Sequence, residues 1–513
     1  MAGKQDFIDD INKSYAFKGE SIQIGAAMLD GEVLSEAKIL LPFKTLNRHG
    51  LIAGATGTGK TKTLQVMSEM LSDNSVPVLL LDIKGDLSGL AAAGAMNPKL
   101  EERYALLNLE YKPQAFPVEF LSLNGKDGVK LKATVSEFGP VLLSKILGLN
   151  DTQGGLVSLI FKYSDDNKLP LLNLPDFIKM LQYVSDEGKT EIEKLYGKIS
   201  TTSTGTILRK VIELQQQGAD VFFGEKSFEV DDLMKINSDG RGMINILRVS
   251  DLQDRPKLFS TFMLQILSEL YAVSQEEGDL DKPKLVIFID EAHLIFQEAG
   301  SALLQQIETI IKLIRSKGIG IFFSTQNPMD IPAPVLAQLG LKIQHALRAF
   351  TAADRKMIKQ TAENYPETTY YKTEDLITQL GIGEALVTML NDKGIPTALA
   401  HTMLCSPRSR MDILTPQEID SINGHSRLVS KYAVEIDSHS AYEILNEKLE
   451  NAAATPPAGK TAKKVPGDES MLEQVANNTI VKSMLRTAGN SIVRSILGSL
   501  GLGGRTTRKK SLF

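Results

Sequence analysis

The sequence predicts an α/β fold in which a doubly wound parallel sheet carries a nucleotide-binding loop. Residues 54–61 complete the pattern G-x-x-x-x-G-K-[ST] directly after the short apolar run 51–53. Such a pattern joins a strand to a helix that begins at the lysine. The next apolar run, 78–82, is too short for a helix and is typical of a buried parallel strand. A strand, a helix and a second strand in this order begin a doubly wound sheet.

The loop 54–61 is predicted to bind the phosphates of ATP. Its glycines let backbone N–H groups converge on phosphate oxygens at the positive end of a helix. The Lys60 ammonium would reach the β and γ phosphates, and the Thr61 hydroxyl would hold Mg²⁺. A glycine-rich turn before a helix is the alternative interpretation. The predicted nucleotide-binding residues are Gly54, Ala55, Thr56, Gly57, Thr58, Gly59, Lys60, Thr61 and Lys62.

A second buried strand, 285–289, ends in two carboxylates. Asp290 would complete the Mg²⁺ site with Thr61, and Glu291 would orient and deprotonate the attacking water. Strands often end in acidic turns, but a phosphate loop in the same chain favours the catalytic interpretation. His293 follows in the tetrapeptide Asp-Glu-Ala-His and is interpreted as structural.

Three further residues are candidates for a role in hydrolysis. The strand 319–325 precedes Gln326, which would hydrogen-bond the γ-phosphate or the water; a turn residue is the alternative. Arg315 ends the polar face of an isoleucine-rich helix. It is either a solvated charge or an arginine finger, acting in cis or toward a neighbouring subunit. Arg348 is a second candidate for the finger.

The composition bounds the class of protein. A chain of 513 residues suggests about two to four domains. The single cysteine, Cys405, excludes an internal disulfide; a buried or half-buried thiol is favoured over the alternative, a nucleophile, because no partnered base is evident. The sequence lacks a secretory signal and an apolar stretch long enough to span a bilayer, which predicts a cytoplasmic protein. The six histidines and one cysteine lack metal-ligand spacing, so Mg²⁺ is the only metal expected.

The charge distribution limits where the chain could attract nucleic acid. The net charge of −5 argues against a globally basic binding surface. From residue 455 onward there are 10 Lys and Arg against 3 Asp and Glu, whereas the preceding residues carry 47 against 59. Any attraction to phosphates must therefore be local.

The patterns of strands, helices and linkers divide the chain into six predicted regions. They are an N-terminal β-hairpin element (1–45), a P-loop core (46–95 and 236–405), a mainly helical insertion (96–235), a C-terminal arm (406–450), a Pro/Ala/Lys-rich linker (451–470) and a basic amphipathic helix with a tail (471–513).

The motifs 54–61, 290–293 and 324–328 resemble those of the HerA/FtsK superfamily of hexameric ATPases. Over about residues 15–415 the chain is similar to the bacterial YjgR-type family of HerA-helicase-like proteins. This resemblance implies a RecA-like P-loop NTPase of the additional-strand, catalytic-glutamate type. It also implies a homo-hexameric ring that moves DNA through its pore by hydrolysing ATP. The N-terminal barrel of HerA is the departure, because the segment before the phosphate loop is too short for it. Further matching strings are Asn47–Gly50, Asp82–Leu87, Gly139-Pro140, Leu313–Gly318, Gln344–Arg348 and Pro407–Arg410.

Two classes of function follow from these observations. The first is a ring-forming, DNA-stimulated motor that serves a nuclease or another protein partner. The second is a nucleotide-switched assembly or scaffold ATPase at the membrane surface, because the basic helix in 471–513 could lie on anionic lipid. The same helix could equally pack on a neighbouring subunit.

Overall fold

The computed structural model describes residues 3–454, except 253–254, 279, 297–299, 435 and 437. The described residues divide into two compact units, the first formed by 3–131 together with 229–433 and the second by 132–228 together with 434–454. The predicted basic helix over 471–513 and the linker from residue 455 lie outside the described residues. Among the residues that are described, no helix is long and apolar enough to cross a bilayer.

Twelve strands and seventeen α-helices are found in the described part of the chain. The strands are β1 (Ser21–Leu29), β2 (Glu32–Pro42), β3 (Gly50–Ala53), β4 (Val78–Asp82), β5 (Val118–Ser122), β6 (Val129–Lys130), β7 (Ile244–Arg248), β8 (Leu285–Ile289), β9 (Ile319–Thr325), β10 (Leu341–Gln344), β11 (Glu384–Met389) and β12 (Ala400–Leu404). The helices are α1 (Lys4–Ser14), α2 (Lys60–Asp73), α3 (Pro98–Leu107), α4 (Val135–Ile146), α5 (Asp151–Asp166), α6 (Leu174–Ser185), α7 (Lys189–Tyr196), α8 (Thr201–Gln216), α9 (Pro256–Val273), α10 (His293–Phe296), α11 (Ser301–Ile314), α12 (Ala333–Leu336), α13 (Ala352–Glu363), α14 (Thr373–Gln379), α15 (Pro416–His425), α16 (Arg427–Tyr432) and α17 (Ala441–Ala454).

One mixed sheet forms the centre of the first unit, in the order β2-β1-β12-β11-β10-β3-β9-β8-β4-β7-β5-β6. The strands from β10 to β6 pair in parallel along this order. Strand β9 lies between β3 and β8, so the strand that leads to Gln326 separates the phosphate-loop strand from the strand that leads to Asp290. This is the RecA-like, additional-strand arrangement that the sequence predicts.

The central parallel strands carry apolar side chains on both faces, and both faces are buried inside the first unit. All residues of β3, β4, β8 and β9 are buried. Continuous burial of this kind is characteristic of parallel strands in α/β proteins. Because the carboxyl ends of parallel strands lie at one edge, the loops that follow β3, β4, β8 and β9 meet there.

The predicted N-terminal hairpin is confirmed. Strands β1 and β2 pair antiparallel, with Leu29 opposite Glu32 across a turn at Asp30 and Gly31. Asp30 and Gly31 have φ values of 50° and 81°, as a two-residue hairpin turn requires. The hairpin is not a separate element, however, because β1 also pairs with β12 and so extends the central sheet. It is preceded by helix α1, which the sequence analysis did not predict.

The insertion predicted over 96–235 is too wide. Strand β5 (Val118–Ser122) pairs with β7 and belongs to the central sheet, so the helical part begins near residue 132 and ends at 228. The C-terminal arm predicted over 406–450 also differs from the structure, because its residues from 434 to 450 belong to the helical second unit. Residues 451–454 end α17 and are not yet linker.

The second unit contains α4–α8 and α17, and a buried carboxylate connects α6 with α17. Asp176, at the start of α6, accepts hydrogen bonds from the backbone N–H groups of Leu172 at 2.8 Å and Asn173 at 2.9 Å. The same side chain accepts one from the N–H of Tyr442 in α17 at 3.1 Å. These contacts explain why a segment remote in sequence completes this unit.

Candidate active site

The phosphate loop connects β3 to α2 at the carboxyl edge of the sheet. Gly57 and Gly59 have φ values of 78° and 118°, which L side chains rarely adopt, so the loop depends on glycine at both positions. The N–H of Ala55 donates to the carbonyl of Ala346 at 2.8 Å, which ties the loop to the segment after β10. The backbone is therefore arranged as an anion-binding nest before the helix begins at Lys60.

The Lys60 side chain lies within this loop. Its ammonium donates to the carbonyls of Gly54 at 2.6 Å and Ala55 at 3.1 Å. The side chain is buried, and burial lowers the pKa of Lys60 below its ordinary value. The Thr58 hydroxyl donates to the same Ala55 carbonyl at 2.7 Å. The loop therefore surrounds the Lys60 ammonium, at the place where phosphate oxygens would bind.

Asp290 is placed as a Mg²⁺ ligand would be. The Ser324 hydroxyl donates to its Oδ1 at 2.7 Å, and burial raises the pKa of Asp290. Its Oδ2 is buried and has no hydrogen-bond partner among the described residues. A free buried carboxylate oxygen fits Mg²⁺, which would be held by Asp290 and Thr61 and would neutralise phosphate charge when bound.

Glu291 follows Asp290 with a φ of 46°, an unusual value for a glutamate. Its Oε1 forms an ion pair with the Lys84 ammonium and accepts a longer hydrogen bond, 3.4 Å, from the Gln326 amide. His293 Nδ1 lies 3.2 Å from Oε2. Burial opposes ionisation, but the Lys84 ammonium outweighs it and lowers the pKa of Glu291. The carboxylate is therefore held charged, as a general base requires.

The structure brings Lys60, Asp290, Glu291 and Gln326 to one edge of the sheet, but two other predicted residues lie differently. The Lys62 ammonium donates to Gln65 Oε1 at 3.1 Å and to the carbonyl of Met411, so its side chain is engaged with the segment after β12. The Lys62 side chain thus contacts residues outside the phosphate loop, and the assignment of Lys62 to the nucleotide-binding residues stays a prediction.

Arg315 is at the opposite edge of the sheet from the phosphate loop. Arg315 follows α11 and precedes the start of β9. The carboxyl end of β9 pairs with Ala53, which directly precedes the phosphate loop, so Arg315 lies at the other end of that strand. Burial lowers the pKa of His49, which precedes β3, and the charge of Arg315 lowers it further. A role as an arginine finger in cis is therefore wrong, and only the role toward a neighbouring subunit stays a prediction. Arg348 lies at the phosphate-loop edge, where its guanidinium donates to the carbonyl of Thr378 at 3.0 Å.

Sequence reasoning missed two groups at the site. Lys84 stands in the string Asp82–Leu87, which matched the family but received no role. The loop 381–383 packs on the phosphate loop, since the N–H of Gly383 donates to the Thr58 carbonyl at 3.1 Å. Arg103 holds this loop by donating to the carbonyls of Ile382 at 3.0 Å and Gly383 at 3.2 Å. The glycine spacing of 381–383 was the available signal.

Cys405 is a free buried thiol, as predicted, and burial raises its pKa to about 12. A thiol with so high a pKa is a poor nucleophile at neutral pH. The chemistry therefore rests on the carboxylates and lysines at the edge of the sheet.

An additional-strand RecA-like sheet, a phosphate loop and a buried Asp-Glu pair define a P-loop ATPase. More particularly, the chain belongs to the Helicase HerA-like C-terminal family, whose sequence profile matches residues 28–470. This confirms the superfamily that the motifs indicated.

Two curated relatives agree with this membership. The chain is 22% identical over 391 residues to the DNA double-strand break repair helicase HerA of Sulfolobus acidocaldarius. This match covers 74% of this chain and 68% of the relative. The chain is 24% identical over 367 residues to the protein of the same name from Sulfurisphaera tokodaii, covering 69% and 64%. The chain thus spans about two thirds of the length of these curated relatives. The bacterial conjugative coupling protein TrwBdeltaN70 superposes with a TM-score of 0.49 at 13% identity, covering 79% of this chain and 94% of that structure.

Proposed function

We propose that this ATPase is a motor that assembles into a homo-hexameric ring and moves DNA as it hydrolyses ATP. The hydrolytic part of this proposal is supported by the Glu291 carboxylate, which forms an ion pair with Lys84 at the edge of the sheet that carries the phosphate loop. The DNA half is supported by membership in a HerA-like family, because two relatives are named DNA double-strand break repair helicases. A nuclease or other protein would be the partner of such a ring.

In the proposed hydrolysis, Glu291 accepts a proton from water while the water oxygen forms a bond to the γ-phosphorus of ATP. The bond between that phosphorus and the β-γ bridging oxygen breaks, and ADP and phosphate leave. Gln326, which reaches Glu291 across 3.4 Å, would orient the water. The Lys60 ammonium would exchange its loop carbonyls for phosphate oxygens and stabilise the charge that develops there.

The test measures ATP turnover of the full chain with and without linear duplex DNA, alongside the mass in solution by light scattering. A hexamer whose turnover rises several-fold with DNA, and loses that rise as salt increases, supports the motor. Turnover that DNA leaves unchanged contradicts it and favours the nucleotide-switched scaffold. Lys60→Ala is the control, because a variant that cannot bind ATP should retain only the turnover of contaminating ATPases.

Deleting residues 455–513 separates the two classes of function further. A motor whose DNA path lies in the ring keeps DNA-stimulated turnover after the deletion. A scaffold anchored by the basic segment loses binding to vesicles that contain anionic lipid, which co-sedimentation measures.

A further inference from the structure

The turn that carries Lys84 is held by a buried carboxylate. Asp82, the last residue of β4, accepts hydrogen bonds from the backbone N–H groups of Gly85 at 2.7 Å and of Asp86 and Leu87 at 3.2 Å. Asp82 itself is fully buried. Because three bonds fix the turn, Lys84 extends from a rigid support at the end of a central strand.

The backbone of Glu291 is fixed independently. Its φ of 46° is maintained by two neighbouring hydrogen bonds. The N–H of Ala292 donates to the Ser324 carbonyl at 2.8 Å, and the N–H of Leu294 donates to the Glu291 carbonyl at 3.0 Å. The glutamate side chain therefore starts from one defined point, and its orientation is decided by what its carboxylate contacts.

The contacts of the Glu291 carboxylate differ in strength, and the ion pair with Lys84 is the main one. Only 6% of the Glu291 side chain is exposed, against 36% of the Lys84 side chain. Besides the ion pair with Lys84, the carboxylate has a long 3.4 Å bond from Gln326 and His293 Nδ1 at 3.2 Å. The Lys60 ammonium donates instead to Gly54 and Ala55. Removing Lys84 would leave a buried carboxylate without its main counter-charge, which is strongly unfavourable.

We propose that Lys84 is a positioning residue for hydrolysis, which holds the Glu291 carboxylate in the orientation that accepts the proton of the attacking water. This inference rests on the hydrolytic part of the proposed function. The inference gives the two lysines of this site different roles. Lys60 binds the phosphates, and Lys84 orients Glu291. A role of this kind affects the rate of the chemical step and leaves nucleotide binding almost unchanged.

The test compares Lys84→Met, Lys84→Arg and the control Lys99→Met, which removes an exposed lysine of α3. We expect Lys84→Met to lower kcat about 10- to 100-fold, with KM for ATP within about threefold of the original value. Lys84→Arg keeps a cation for the carboxylate and should recover most of kcat. Lys99→Met should match the unmodified protein. Lys84→Gln replaces Lys84→Met in the comparison if the latter does not fold.

A double-mutant cycle separates positioning from a general structural effect. In a Glu291→Gln background no carboxylate remains to be oriented, so adding Lys84→Met should change the residual rate by less than about twofold, measured with radiolabelled ATP. An equal loss of rate in both backgrounds overturns the inference. So does a kcat for Lys84→Met within twofold of the original, or a rise in KM with kcat unchanged.

Measuring each variant with and without duplex DNA keeps the two proposals apart. If DNA does not stimulate the unmodified protein, the motor proposal fails. The positioning role of Lys84 is then still tested by the turnover of its variants without DNA. If DNA stimulates turnover but Lys84→Met has no effect, only the positioning role fails.

Discussion

Ser324 donates a hydrogen bond of 2.7 Å to Oδ1 of Asp290, which joins strand β9 to the acidic residues that follow β8. The bond occupies one carboxylate oxygen and leaves the other available. Both residues are buried, so water cannot easily replace the hydroxyl. Partners of this kind orient metal ligands, and their loss typically reduces metal affinity about 10- to 100-fold.

We therefore expect Ser324→Ala to raise the Mg²⁺ concentration that gives half-maximal ATP turnover by about tenfold or more. The control is Ser158→Ala, which removes an exposed hydroxyl from α5. An unchanged Mg²⁺ dependence for a folded Ser324→Ala protein would show that this bond does not orient Asp290 for the metal.

Glu291→Gln and Lys60→Ala should separate turnover from binding. The amide of Glu291→Gln cannot accept a proton, so we expect ATP binding to persist while turnover falls at least about 100-fold. Lys60→Ala removes the cation of the phosphate loop and should abolish ATP binding. Titration calorimetry with ATP measures binding, and phosphate release measures turnover. Full turnover by Glu291→Gln would contradict its assignment as the base.

Arg315 is predicted to act toward a neighbouring subunit. Arg315→Ala alone should then lose about 1,000-fold or more of its turnover, the usual contribution of an arginine finger. Mixing Arg315→Ala with Lys60→Ala subunits should restore part of it, because some neighbouring pairs would combine an intact Lys60 with an intact Arg315. The control is Lys312→Ala, which removes an exposed lysine from the preceding helix α11. Full activity of Arg315→Ala by itself would exclude the role.

Gly383→Ala should weaken ATP binding. Gly383 has a φ of 77°, and an added Cβ would lie 3.0 Å from an Arg103 nitrogen. The substitution should shift the loop 381–383 and break its hydrogen bond to Thr58, so we expect the Kd for ATP to rise about tenfold, equivalent to about 1.4 kcal/mol. Gly31→Ala is a matched control, because its φ is 81° and nothing lies within 4 Å of an added Cβ. Equal ATP affinities of the two variants would contradict the role of the loop.

His49 should resist protonation in the folded protein. Burial, and to a lesser degree the charge of Arg315, lower its pKa to about 4, while its ring contacts the Ile311 carbonyl and the Ile321 N–H. The unfolded chain takes up this proton near pH 6.5, so the free energy of unfolding should fall as the pH drops from about 6.5 to about 4, by about 3 kcal/mol for this residue.

The measurement is an NMR titration of histidine Cε1–H resonances, which substitution can assign because the chain has six histidines. The exposed His425 provides the control resonance. A His49 resonance that titrates above pH 6 in the folded protein would contradict the prediction.

The residues of the phosphate loop, the acidic pair 290–291 and the end of β9 could be identified from the sequence. Each lies at the carboxyl end of a short apolar run, and the parallel order of such strands places their ends at one edge. The prediction of the hairpin rested on an equally local signal, the Asp30-Gly31 turn. Strand β5 was missed because it lies in a long segment whose other patterns are helical, and its pairing with β7 has no local signature.

By itself the sequence determined the class of chemistry, since spacing within short motifs specifies phosphate binding and a candidate base. The tertiary structure alone decided which side chains serve those motifs. The Lys84–Glu291 pair and the Gly383–Thr58 bond join residues far apart in the chain. Their contact depends on strand order and on the turns that follow each strand. The parallel direction of β3 and β9 likewise separates Arg315 from the phosphate loop of its own subunit, because Arg315 precedes the start of β9 whereas the loop follows the carboxyl end of β3.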